Sequence, residues 1–257
     1  MFQTAQSADG TMIAYEKTGT GPAVIVAGGA FNTRMSPGAL VPLLASHFTV
    51  FVYDRRGRGD STDTQPYLIA REVEDLAALI DSAGGSAMIY GHSSGAVLAL
   101  EAAAAGLPIT KVVAYEPPFT AEENGPGSLG WADEVRAATD ADDRDKAATL
   151  FLLGIGANPD GVAAMTRQPW WPGMLAVAHT LPYDLALVGD GLVHADRLGK
   201  IAAPTLLIDG ADSPSWAGTA ASVTAGAIPG ARRLTLDGQD HNVNPAALAP
   251  VLIGFFA

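Results

Sequence analysis

The chain has no cysteine among its 257 residues. That excludes disulfides, thiolate-bound metals and a cysteine nucleophile, and it leaves the redox compartment open. Basic residues are scarce as well, with 15 Lys and Arg against 27 Asp and Glu and a formal net charge of −12. A nucleic-acid partner needs basic surface to displace counterions, so none is expected. No apolar run approaches the roughly 18 to 20 residues of a membrane span. The opening "MFQTAQSADGTMIAY" lacks the basic and then apolar stretch of a signal peptide. A cytoplasmic protein is expected. The five histidines form no i, i+4 pair and no H-x-x-E grouping, and the glycines make neither G-x-G-x-x-G nor a P-loop. No metal and no cofactor is therefore expected.

What is present is a regular alternation. "AVIVAGG", "TVFVYD", "SAMIYG" and "KVVAYEPP" are short runs of the kind buried in a parallel sheet. Helical patterns lie between them. "SPGALVPLLASHF" opens on Ser36-Pro37, a cap followed by proline. "REVEDLAALIDSAGG" puts Val73, Leu76, Ala77 and Ile80 on one face and ends on two glycines. "GTMIAYEKTG" alternates and then turns at Gly19 to Pro22, as a hairpin would. The order predicts an α/β fold, a parallel sheet with helices on both faces. From Phe119 to Lys200 the pattern changes to Asp- and Ala-rich segments without clear strands. Those residues read as helical hairpins inserted between strands. The sheet resumes at "APTLLIDGAD" and "ARRLTLDG", and a last helix starts at Pro245.

Gly91-x-Ser93-x-Gly95 lies between a strand and a helix and fits the nucleophile elbow G-x-S-x-G. A serine on so tight a turn needs glycines two residues before and after it. Registering the motif on Ser94 would put His92 and Ala96 at those crowded places. Ser93 is the candidate nucleophile, and the Ser94 amide at the helix N-terminus is a candidate oxyanion donor. A serine hydroxyl needs a base oriented by an acid, in the chain order Ser, Asp or Glu, His. His241 in "DGQDHNV" is the candidate base. Asp212, past the turn at Gly210, is the candidate acid, with Asp209 as fallback. The second oxyanion donor is placed on the Ala30 amide, with Gly29 as the alternative.

Four blocks in order carry a family resemblance: "VIVAGGAFN", "VYDRRGRGDS", "YGHSSG" and "GAD…QDHN". The second is similar to the D-x-R-G-x-G-x-S turn, here Asp54 to Ser61. Over essentially its whole length the chain resembles the α/β-hydrolase-fold superfamily. That resemblance implies an eight-stranded, mostly parallel sheet, a Ser–Asp–His triad and a helical cap. The expected division is a core of residues 1–118 and 201–257 with a cap of 119–200. One departure stands out: family members commonly carry His-Gly at the oxyanion loop, where this chain has Gly28-Gly29. Ser93 also separates it from the dehalogenase and epoxide hydrolase branches, which use Asp at the elbow.

Trp170 and Trp171 could line an apolar substrate pocket or pack the cap. Phe31, beside the oxyanion loop, is another lining candidate. His92 is expected to pack beneath the elbow, and Glu116 to contact substrate or hold its turn. His179 and His194 are read as cap residues, and Arg58-Gly59-Asp60 as part of the family turn. The expected activity is cleavage of a carboxylic ester, lactone or related acyl bond in a small molecule with an apolar portion, through an acyl-enzyme. Two rivals use the same residues: lyase, cyclase or isomerase chemistry with His241 as general base, and a low-turnover binding protein.

Overall fold

The computed structural model describes residues 1–120 and 130–257. Eight strands form one sheet: β1 (Gln3–Gln6), β2 (Met12–Thr18), β3 (Ala23–Ala27), β4 (Thr49–Tyr53), β5 (Ala87–His92), β6 (Ile109–Tyr115), β7 (Thr205–Gly210) and β8 (Arg232–Leu236). Their spatial order is β1-β2-β4-β3-β5-β6-β7-β8. β2 runs antiparallel to both neighbours, and the strands from β4 to β8 are parallel.

The expected hairpin at Gly19–Pro22 does not form, because β4 inserts between β2 and β3. The turn there serves another contact: a Cβ on Gly19 would lie 2.3 Å from the Phe48 carbonyl oxygen. The chain passes too close to the end of α1 (Leu40–Ala45) for any other residue. Nor does Ser36 cap α1, which begins only at Leu40; its Oγ accepts a hydrogen bond from the Thr33 amide instead.

Alternation along the strands divides the core. Val24, Val26, Val50, Met88, Val113 and Ile208 face α1 and the C-terminal helix, α11 (Pro245–Phe256). Ile25, Phe51, Ile89, Val112 and Leu207 face the other side, under α2 (Ile69–Ser82), α3 (Ser94–Ala104) and α10 (Ser215–Ala227). This is the period-two signature of a sheet covered on both faces. On α2 the buried face also includes Glu72 and Asp75, beside Leu76, Leu79 and Ile80.

Between β6 and β7 the described residues carry helices: α4 (Ala132–Asp140), α5 (Arg144–Gly154), α6 (Pro159–Met165), α7 (Trp171–Val177), α8 (Leu181–Val188) and α9 (Ala195–Leu198). A single 3-10 turn, Ala178–Thr180, joins α7 to α8. Part of the expected cap, residues 121–129, lies outside the described residues. The helices share a cluster built on Val135, Phe151, Trp171, Leu181 and Leu185, and Ala30 and Phe31 of the core pack against it. None of the helices in the described residues is long and apolar enough to cross a membrane.

Candidate active site

β5 ends at His92, and the chain turns into α3 through Ser93 at φ 56°, ψ −126°. A non-glycine residue with positive φ is strained, which turns its side chain out of the strand-to-helix line. The neighbouring glycines are obligatory. A Cβ on Gly91 would sit 2.4 Å from the Gly95 carbonyl oxygen, and one on Gly95 2.2 Å from that of Ala27. Ser93 is one of four non-glycine residues with positive φ among those described, and two others, Phe31 and Glu116, follow β3 and β6. The strain is concentrated where adjacent strands end.

His241 stands on the loop after β8. Its Nδ1 is 2.7 Å from Oε2 of Glu116, which is fully buried at the end of β6. Oε1 of the same carboxylate accepts from the Gly210 amide at 2.9 Å and the Ser213 hydroxyl at 2.6 Å. Burial works against the Glu116 charge. The bonds from His241, Ser213 and Gly210 outweigh it and hold the carboxyl below its ordinary value. A carboxylate there can orient an imidazole through Nδ1 and stabilise its protonated form. Neither the Ser93 hydroxyl nor His241 Nε2 has a hydrogen-bond partner among the described residues.

The acid expected from the sequence was Asp212, and the structure gives His241 a different partner. The Asp212 side chain is exposed, and its amide donates to the Gln239 carbonyl. The loop after β7 wraps around Glu116 with Gly210 and Ser213 and leaves Asp212 outside. Asp209 is engaged too, in a 2.9 Å ion pair with Arg233.

The loop carrying His241 is held from below. His92 Nε2 lies 2.8 Å from the His241 carbonyl oxygen, and the Tyr115 hydroxyl donates to that of Asp240 at 2.6 Å. A carbonyl only accepts, so His92 carries its proton on Nε2. Its ring stacks on Tyr115 with centroids 5.6 Å apart and lies 4.8 Å from the His241 ring. Burial, then the neighbouring His241, push the His92 imidazole from 6.5 down to about 4.

On the facing loop, Gly29 approaches the elbow so closely that a Cβ would meet that of Ser93 at 2.8 Å. The Gly29 amide donates to Asn32 Oδ1 at 3.1 Å, which engages one of the two amides expected as oxyanion donors. The other, on Ala30, has no partner among the described residues, and neither has the Ser94 amide. Phe31 lies beside them with its ring edge-on to Phe151 of α5 at 5.5 Å.

The two tryptophans are placed differently from each other. Trp171 is buried in the helical cluster and its indole donates to Asp145 at 2.9 Å, so it packs these helices together. Trp170 is 50% exposed. Trp216, which the sequence did not single out, lies with its ring centroid 6.4 Å from that of His241. His194 pairs with Asp190 on the surface, and His179 is half-buried within the 3-10 turn.

Beneath this site lies a second polar cluster. Arg55 donates to both oxygens of Glu72 at 2.7 and 2.6 Å and to Asp184 Oδ1 at 2.7 Å. Arg58 donates to Asp184 Oδ2 at 2.8 Å, to Thr180 Oγ1 at 3.0 Å and to the Gly29 carbonyl at 2.6 Å. The Ser94 hydroxyl donates to Asp184 Oδ1 at 2.6 Å. All four charged side chains are nearly or fully buried. Burial opposes the Asp184 charge, but Arg58 and Arg55 prevail and hold it below the ordinary carboxylate range.

Sequence and fold point to one family. A model described as "Alpha/beta hydrolase family" matches residues 23–251, most of the chain. The chain belongs to the α/β hydrolase family. An α/β hydrolase from Sphaerobacter thermophilus DSM 20745 shares 50% identity and a TM-score of 0.94, over 99% of this chain and 100% of that one. A hydrolase from Pseudomonas aeruginosa PA01 shares 26% identity and a TM-score of 0.80, over 100% and 98%. N-formylmaleamate deformylase of Pseudomonas putida is 32% identical over 130 residues, covering 47% of this α/β hydrolase. That match spans about half the deformylase, 48% of its length.

Proposed function

We propose that this α/β hydrolase is a cofactor-independent serine hydrolase that cleaves a carboxylic ester, lactone or related acyl bond in a small molecule. The observation that supports it is the 2.7 Å contact between His241 Nδ1 and buried Glu116, on the same sheet edge as the strained Ser93. Ser93 Oγ attacks the carbonyl carbon as His241 Nε2 takes its proton. Glu116 stabilises the resulting imidazolium and keeps Nδ1 protonated. The Ala30 and Ser94 amides receive the developing oxyanion. His241 returns the proton to the leaving group, and water then attacks the acyl-enzyme by the same route in reverse.

Phe31 lies beside the Ala30 donor and gives the substrate an apolar wall, a role Trp216 fits on the His241 side. Amide-type acyl groups fall within the same chemistry, and the resemblance to a deformylase favours including them among candidate substrates. The test combines two measurements. Turnover of short p-nitrophenyl esters is expected in the wild type and lost in Ser93→Ala. An organophosphonate should add one mass increment, located at Ser93. A folded protein that turns over substrate yet is never modified there would reject the acyl-enzyme.

A further inference from the structure

The oxyanion loop lacks the imidazole of a His-Gly pair, and something else must hold its peptides. The Gly29 carbonyl and the Ala30 amide belong to one planar peptide unit and point in opposite directions. Gripping the carbonyl therefore sets the direction of the N–H. Arg58 Nη1 does this at 2.6 Å, and the same nitrogen reaches the Asn32 carbonyl at 3.3 Å. The preceding peptide is held as well, its Gly29 N–H tied to Asn32 Oδ1 and its Gly28 carbonyl 3.5 Å from Arg55 Nη1. Two successive peptides are thus pinned, and the Ala30 N–H is the one left open.

We propose that Arg58 is a positioning residue for the oxyanion hole, and that it is held in place by the helices inserted between β6 and β7. Its remaining donors reach Thr180 Oγ1 in the 3-10 turn and Asp184 Oδ2 on α8. Asp184 also receives the hydroxyl of Ser94, whose amide is the second donor. One carboxylate from the inserted helices therefore braces both halves of the hole, one through Arg58 and one through Ser94. Without that carboxylate the guanidinium loses an anchor, and the Gly29–Ala30 peptide is held less firmly, with the 3.3 Å bond from the Asn32 amide left to orient it.

This proposal rests on the serine hydrolase reading, and the experiment separates the two. Wild-type turnover and Ser93 labelling are established first; failure there rejects the hydrolase reading before any Arg58 variant is made. Arg58→Met and Arg58→Lys are then assayed with a p-nitrophenyl ester, a trifluoromethyl ketone and its methyl ketone counterpart. The trifluoromethyl ketone forms an anionic tetrahedral adduct: Ser93 Oγ bonds to the carbonyl carbon, the π pair moves to oxygen, and the serine proton passes to His241. Only that adduct uses the oxyanion hole.

The expected result is a fall in kcat of ~10²-fold or more with KM nearly unchanged, the size of a lost oxyanion donor. Affinity for the trifluoromethyl ketone should fall in parallel, while methyl ketone binding holds. Equal losses for both ketones, or unaltered kcat in a folded variant, would overturn the proposal. Should neither Arg58 variant fold, Thr180→Val decides, since it removes one bond to the guanidinium and no charge. A smaller loss, shared by kcat and trifluoromethyl ketone affinity, supports the positioning role. Unchanged kinetics overturns it.

Discussion

Two of the carboxylates beneath this site differ in what they face. Glu116 and Asp184 are both buried, and both are held ionised by their surroundings. Glu116 faces His241, a group whose charge changes during a reaction. Asp184 faces Arg55 and Arg58, whose charges never change at any working pH. A carboxylate against a titratable partner can help move a proton. One between two guanidiniums can only hold a shape. In the proposed mechanism the same side-chain chemistry is thus divided between catalysis and architecture by the choice of partner.

The sharpest test of that division is Glu116→Gln. Oε1 of Glu116 accepts from Gly210 and Ser213, so a glutamine keeps its carbonyl there and turns its amide toward His241 Nδ1. Nδ1 must then accept, the imidazole proton moves to Nε2, and the ring can no longer take the Ser93 proton. A fall in kcat of about 10³ to 10⁴ is expected, with the fold retained. Asp212→Asn is the matched control. The Asp212 side chain is exposed, and its change should move activity by less than about threefold. Ester turnover by the two variants settles which acid serves His241; a larger loss in Asp212→Asn would reverse the assignment.

Asp184 should instead reveal itself in stability. Asp184→Ala leaves Arg55 with Glu72 and Arg58 without its carboxylate partner, an uncompensated positive charge in the interior. Breaking a buried pair this way typically costs about 3 to 5 kcal/mol, a large share of a domain's total. Urea unfolding at neutral pH should show the midpoint falling by that measure. A loss below about 1 kcal/mol would mean the cluster is as weakly coupled as a surface pair.

The contrast also explains what could be read from the chain. Ser93 was legible because a strained turn needs small residues within two positions of it, and Gly91 and Gly95 are written beside it. The candidate base His241 and the parallel sheet followed from local runs and their order, and the count of eight strands from the family resemblance. The carboxylate that contacts His241 was missed, although Glu116 also satisfies the order Ser, acid, His. β6 pairs directly with β5, so its end lies one strand nearer Ser93 than that of β7. "YEPP" at a strand end was the available signal. Asp184 could not be found this way, because Arg55 lies 129 positions from it and Arg58 lies 126. No local periodicity marks a pairing across an inserted segment. The arginines of "DRRGRG" announced a turn, while their partners were fixed only by tertiary packing. Trp171 shows the same limit, since a tryptophan that lines a pocket and one that fills a core look alike in sequence.

His92 gives the smallest and most graded test, because it stands between the two types of partner. It is titratable, as His241 is, yet its task is to hold backbone: Nε2–H donates to the His241 carbonyl beside the matching Tyr115 bond. Its imidazole ionises near 4 in the folded protein instead of 6.5. Between those values the unfolded chain binds a proton that the folded one refuses, so stability declines as pH falls below about 6.5 and levels off below about 4. The shift corresponds to at most about 3 kcal/mol across that window. His92→Gln retains an N–H donor for the His241 carbonyl and removes the titration. Urea unfolding at pH 7.5 and pH 4.5 should therefore show a shallower acid loss in the variant, with little difference between the proteins at the higher pH. Equal losses in both would mean that His92 protonates without disturbing the fold, and that the other anchors of the His241 loop, Tyr115 among them, hold it in place.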